Sequence, residues 1–144
     1  MDEFLTSHKF MHSTLTPQSA ARVYQTFAVL TSQSLLAEGM PALGLSEAAM
    51  LDELALLWSR FDRVPLLFAL YRVHQAPHSS LNLSINALGR LLHRLRQAGW
   101  LVLESSDTDG RTKHVRPSEQ TQRYFSILGQ CMAQAIHKEK SRSC

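Results

Sequence analysis

The most chemically loaded stretch of this sequence is "ESSDTDGRTKHVRP", residues 104–117, where acidic side chains surround a glycine and basic ones follow it. Aspartates spaced around a glycine suggest a calcium loop, whose oxygen ligands stand at positions 1, 3, 5 and 12 about a glycine at position 6. With Gly110 at position 6, Asp107 and Asp109 fall at 3 and 5, but Ser105 falls at 1 and Arg116 at 12. A cation where the bidentate carboxylate belongs excludes the loop. The remaining reading is a hairpin tip: Asp109-Gly110 is a favoured two-residue turn, set between the strand-compatible runs Leu101–Ser106 and Arg111–Arg116. Arg111 stands beside that turn, a position from which an arginine can reach into a narrow minor groove, where the negative potential of DNA is concentrated.

Other reactive residue types lead nowhere catalytic. His74 and His78 are four apart, but Pro77 breaks the helix that would bring them together, and no cysteine or acidic cluster stands near; no metal is expected. The "HSS" at 78–80 lacks a nucleophile elbow or oxyanion partner, and no phosphate-binding glycine motif occurs. With no catalytic group to name, the chain is read as a non-enzyme without a cofactor. Cys131 and Cys144 form neither a disulfide framework nor a metal set, which suits a reducing compartment. The longest apolar run is Val64–Tyr71, too short for a membrane span, and the N-terminus lacks the pattern of a signal peptide. A cytoplasmic protein is expected.

These residues are carried by helices. Residues 1–15 are read as a loose arm, followed by one domain over 16–144. Thr16 caps and Pro17 opens a first helix with apolar residues Ala20, Val23, Tyr24, Phe27, Leu30 and Leu35, ending near Glu38-Gly39. A second starts at Ser46, with Met50, Leu51, Leu54, Leu57, Trp58 and Phe61 on its stripe, and a third follows Pro65. Ser84 caps "INALGRLLHRLRQ", which Gly99 ends; Ile85, Leu88, Leu92 and Leu95 define its buried face, and Asn86, Arg90, His93, Arg94, Arg96 and Gln97 the opposite one. After the hairpin, Ser118 caps a last helix to about Lys138, striped by Tyr124, Ile127, Leu128, Cys131, Met132, Ala135 and Ile136.

Charge is divided unevenly along this order. Residues 1–83 hold five Lys/Arg against seven Asp/Glu, net −2, whereas residues 84–144 hold ten against five, net +5. The excess suggests an acidic partner for the C-terminal part, with nucleic acid the commonest. A short helix, a turn, a basic helix and a hairpin together describe a winged helix-turn-helix, so the fold class is mainly α with a small β-hairpin wing. In that arrangement the basic helix enters a major groove. Asn86 can pair with adenine and Arg90 with guanine, each through two hydrogen bonds worth about 1–3 kcal/mol of discrimination. Arg94, Arg96, Lys113 and Arg116 suit phosphates.

The segment "SINALGRLLHRLRQAGWLVLESSDTDGRTKHVRPSE", residues 84–119, resembles the MarR-like winged-helix transcriptional regulators. The resemblance rests on the RLxxxG helix end (Arg94, Leu95, Gly99), the DxR wing signature (Asp109-Gly110-Arg111), then Val115 and Ser118. It implies a homodimer built from N- and C-terminal dimerisation helices, 16–40 and 118–138, around a DNA-binding part, 46–117. It implies a repressor or, less often, an activator bound to pseudo-palindromic double-stranded operator DNA, which in many relatives is released by a phenolic or other small acid or by cysteine oxidation. By residue match, Asp109 would brace the wing, Arg111 would enter the minor groove, and Asn86, Ala87, Arg90 and Arg94 would face the major groove. The apolar stripes of the first and last helices, too long for a small winged helix to cover, independently point to a dimer interface. An effector pocket would draw on Tyr24, Trp58, Phe61, Phe68 or Trp100, all of which also suit a core. The competing expectation is a winged helix that meets an acidic protein partner instead of DNA.

Overall fold

A computed structural model describes residues 15–76, 81–106 and 110–142. Their order is α1 (Pro17–Ala37), α2 (Leu45–Arg60), α3 (Leu66–Gln75), α4 (Ile85–Gln97), β1 (Leu101–Ser105), β2 (Lys113–Pro117) and α5 (Glu119–Arg142). The chain divides into a central unit, Pro41–Arg123, and a terminal unit made of the residues up to Met40 and from Tyr124 onward.

The helix ends follow local chemistry. The Thr16 hydroxyl accepts from the Ser19 amide at 3.0 Å, and the Ser84 hydroxyl from the Ala87 amide at 3.2 Å. Each bond satisfies an amide that the first helical turn leaves without a partner. At the other end of α4, Gly99 adopts φ 87°, and the amides of Gly99 and Trp100 close back on the carbonyls of Arg96 and Leu95. That is a Schellman ending, and its left-handed residue is one that glycine takes without a side-chain clash. α2 departs from expectation by starting at Leu45 behind Gly44 rather than behind Ser46. The Glu47 carboxylate reaches back to the Gly44 amide at 3.1 Å, so the glutamate does the capping.

The central unit is built on one apolar core. Met50, Leu51, Leu54 and Leu57 of α2 are buried together with Ala69, Leu70 and Val73 of α3 and Leu88, Leu91, Leu92 and Leu95 of α4. Burial of each large aliphatic side chain stabilises the fold by about 1.5–3 kcal/mol. Trp100, also fully buried, ties the start of the hairpin to this core. Its carbonyl accepts from the Ser118 amide at 3.2 Å and from the buried Thr121 hydroxyl, while Ser118 caps α5 by accepting from the Thr121 amide.

The two strands are antiparallel, with Leu101 opposite Pro117, Leu103 opposite Val115 and Ser105 opposite Lys113. This register differs by one residue from that set by a two-residue Asp109-Gly110 turn, which would place Val115 opposite Glu104. The reason is packing: a one-residue slip turns every side chain to the other face of a strand, and Val115 is 1% exposed whereas Glu104 lies in water. Residues 107–109, Asp109 among them, lie outside the described residues. The connection between α2 and α3 adds a third edge that local sequence does not announce. The Val115 amide donates to the Val64 carbonyl at 2.8 Å, and Pro65 forms a bridge with His114.

In the terminal unit, α1 has no buried residue along its length. It is tied to α5 by Arg22, which donates from Nε to both Glu139 carboxylate oxygens at 3.1 Å and from Nη2 to Oε1 at 2.7 Å. The guanidinium holds the Glu139 carboxyl below its usual pKa, and Glu139 in turn raises that of Arg22. Cys131 is buried, its Sγ 3.8 Å from the Ser34 hydroxyl. Leu15, Tyr24, Val29, Leu36, Met132 and Ile136 remain exposed, and α5 continues past Lys138 to Arg142.

Candidate nucleic-acid interface

α3 and α4 pack against each other in the central unit and form the helix pair of a helix-turn-helix. α4 buries Leu88, Leu91, Leu92 and Leu95 on one side. The 3.6-residue period then leaves Asn86, Arg90, His93, Arg94, Arg96 and Gln97 on the solvent side, as the spacing predicts, while Ala87 is half-buried beside the cap. No carboxylate occurs within α4, so its exposed face is cationic without internal neutralisation. Arg94 and Arg96 stand in its last turn, where the helix dipole favours positive charge. Gly89 lies beside the exposed stripe and costs about 1 kcal/mol of helix stability relative to alanine. Nothing packs against it: an added Cβ would meet no atom within 4 Å.

The hairpin adds a second set of cations. Leu101, Leu103, Val115 and Pro117 share one face of the ribbon, and Val102, Glu104, His114 and Arg116 the other. Arg111 and Lys113 are exposed toward the tip. Arg116 is exposed as well, but its Nη1 donates to both Glu104 oxygens, at 2.9 and 3.0 Å. This diagonal pair, Glu104 with Arg116, exists only in the observed register, which is why residue types alone do not reveal it. Trp58, a candidate for a ligand pocket by residue type, instead donates its indole N–H to the Val115 carbonyl at 3.0 Å and steadies the inner edge of the hairpin. Trp100 is core, and Phe61 and Phe68 pack edge to face at 5.4 Å. Tyr24 belongs to the terminal unit and is 70% exposed.

Asn86, Ala87, Arg90 and Arg94 are thus brought onto one helix, and Lys113 and Arg116 onto one strand. The His74 ring is engaged with the Leu83 carbonyl at 3.0 Å, and His78 lies outside the described residues. Among the described residues no group of three or more His, Cys, Asp or Glu side chains gathers as a metal site, and no helix is long and apolar enough to cross a membrane.

No protein-family model matches the chain, and no curated protein sequence does. Solved structures do. The transcriptional regulator Tm0710 from Thermotoga maritima superposes with a TM-score of 0.54 at 14% identity, over 98% of this chain and 78% of that one. The chain has a winged-helix fold. AbfR of Staphylococcus epidermidis matches this winged helix at TM-score 0.44 and 20% identity, over 92% and 76% of the two chains. AbfR in its reduced form bound to DNA matches at 0.44 and 19%, over 99% and 90%. Within this winged helix, α3 and α4 supply the helix-turn-helix and β1–β2 the wing. The bridge from Val64–Pro65 to β2 gives the wing a third edge at its base.

Proposed function

We infer that this protein is a sequence-specific DNA-binding transcriptional regulator. The observation that carries the reading is the exposed face of α4, where Asn86, Arg90 and Arg94 stand on a helix without a carboxylate, in the same unit as a hairpin bearing Arg111, Lys113 and Arg116. α4 enters the major groove; Asn86 and Arg90 read base edges, and Arg94, Lys113 and Arg116 meet phosphates. Arg111, at the wing, reaches the minor groove. A fold alone does not specify a function, so the reading rests on this face.

The protein acts as a homodimer through α1 and α5. Leu15, Tyr24, Phe27, Met132 and Ile136 line an apolar hollow of about 390 Å³ in the terminal unit, and α1 buries nothing by itself. Contiguous apolar surface of this kind marks an interface. Two copies of α4 then meet half-sites about one duplex turn, roughly 34 Å, apart on a pseudo-palindromic operator. Repression, with release by a small acidic effector, is the regulatory mode the resemblance implies.

The test is fluorescence anisotropy with duplex from the protein's own upstream region and a scrambled control over a salt series, with mass measured by light scattering. A regulator gives a dimer mass, preference for its own upstream duplex, and an affinity that falls steeply with salt. Equal, weak binding to every duplex refutes the reading.

A further inference from the structure

Gly89 stands inside the continuous helix α4 at a place where the packing of the central unit asks for no glycine. A side-chain carbon there would point into open space, and an alanine would hold the helix better. Beside Gly89, between α3 and α4, lies an open-sided hollow of about 620 Å³. Its wall is aliphatic: Leu67 and Leu70 from α3 and Ile85 from α4, with Leu67 67% exposed. Asn86, Arg90, His93 and Arg94 of α4 add polar and cationic groups to its lining.

The combination restricts what fits. A phosphate would use the arginines but gain nothing from the leucines, and an aliphatic segment of another protein would leave the guanidinium groups facing apolar surface. The major-groove edge of a T·A pair next to a G·C pair offers both kinds of partner at base-pair spacing, an apolar C5-methyl beside hydrogen-bonding atoms.

Building on the DNA-binding reading above, we propose that the Gly89 hollow is a thymine-reading site: it receives the 5-methyl group of one thymine per half-site, while Asn86 and Arg90 bond the neighbouring adenine and guanine. The hollow is larger than a methyl group, so the adjoining base edge enters with it. The lack of a side chain at position 89 lets α4 approach closely enough for the methyl to reach Leu67 and Ile85.

The experiment begins by selecting a preferred duplex from a randomised pool with the full-length protein. Each thymine in it is then replaced by deoxyuridine, which deletes the methyl and nothing else. One position per half-site loses about fourfold in affinity, the ratio equivalent to one buried carbon at about 0.8 kcal/mol. Gly89→Leu puts a side chain into the hollow where the methyl would enter, keeps its helical circular dichroism, binds the selected duplex at least tenfold more weakly and no longer senses the methyl. Gly89→Ala, the smaller change, raises Tm while its dependence on the methyl shrinks. If no thymine methyl affects the wild type, or if both variants keep its affinity and methyl dependence, the site is refuted and the regulator reading stands. If the wild type selects no sequence, both fall together.

Discussion

Replacing Glu104 by glutamine should make this protein bind DNA more tightly, although Glu104 has no place in the proposed contacts. Its carboxylate holds Arg116 through two hydrogen bonds, and a phosphate must displace it before Arg116 can contribute. The Arg116 and Glu104 side chains are 59% and 49% exposed, so solvent screens the pair. Exposed ion pairs of this kind stabilise by about 0.2–1 kcal/mol. Removing the competing charge therefore returns up to that amount to DNA binding, about 1.4- to 5-fold per wing. The slope of log affinity against log salt should stay close to that of the wild type, because Arg116 meets its phosphate in both proteins and no contact is added. Anisotropy titrations from about 50 to 200 mM salt measure both quantities, a range over which phosphate-dominated affinity changes steeply. Arg116→Ala in the Glu104→Gln background should abolish the gain. Unchanged affinity in Glu104→Gln would refute the idea that the pair restrains Arg116; a gain that survives Arg116→Ala would assign it to the charge of Glu104 alone.

Three further outcomes follow from the geometry. Arg90→Ala should cost about 1–3 kcal/mol at the preferred duplex while relaxing preference at a single base pair, read by titrating duplexes with each base in turn. Trp58→Phe removes the indole donor to the Val115 carbonyl and should lower unfolding free energy by about 0.5–1.5 kcal/mol in urea melts, with faster exchange of hairpin amides. Glu139 has a depressed carboxyl pKa, so its pairing with Arg22 contributes fully above the ordinary value of 4.5 and is lost as pH falls through the lower folded value. Thermal melts should therefore show an acid-side loss of stability that Glu139→Gln removes, the variant being the less stable at neutral pH.

Local chemistry made much of this fold legible. Thr16, Ser84 and Ser118 cap helices because their hydroxyls reach amides only three residues away, and Leu88, Leu92 and Leu95 show their buried face through spacing alone. The exposed side chains of α4 follow from the same period. Contacts between distant segments were not legible. The Val64 carbonyl pairs with Val115 across two intervening helices, and the hairpin register answers to the burial of Val115 rather than to the turn preference of Asp109-Gly110. Arg116 illustrates the effect on the site: its charge was evident, but its engagement by Glu104 required the register. The hollow at Gly89 was hidden for a similar reason, since its wall comes from two helices.

The bridge between Val64–Pro65 and β2 also bears on how such a protein can change over time. Lys113–Pro117 is held on one side by β1 and on the other by the α2–α3 connection, so the base of the hairpin is clamped along both edges. Insertions and deletions beyond the hydrogen bond from the Ser106 amide to the Thr112 carbonyl leave those clamps untouched. Length and charge can therefore change beyond these clamps while the helices behind them keep their places, and in the proposed DNA-binding role that is where sequence preference can shift.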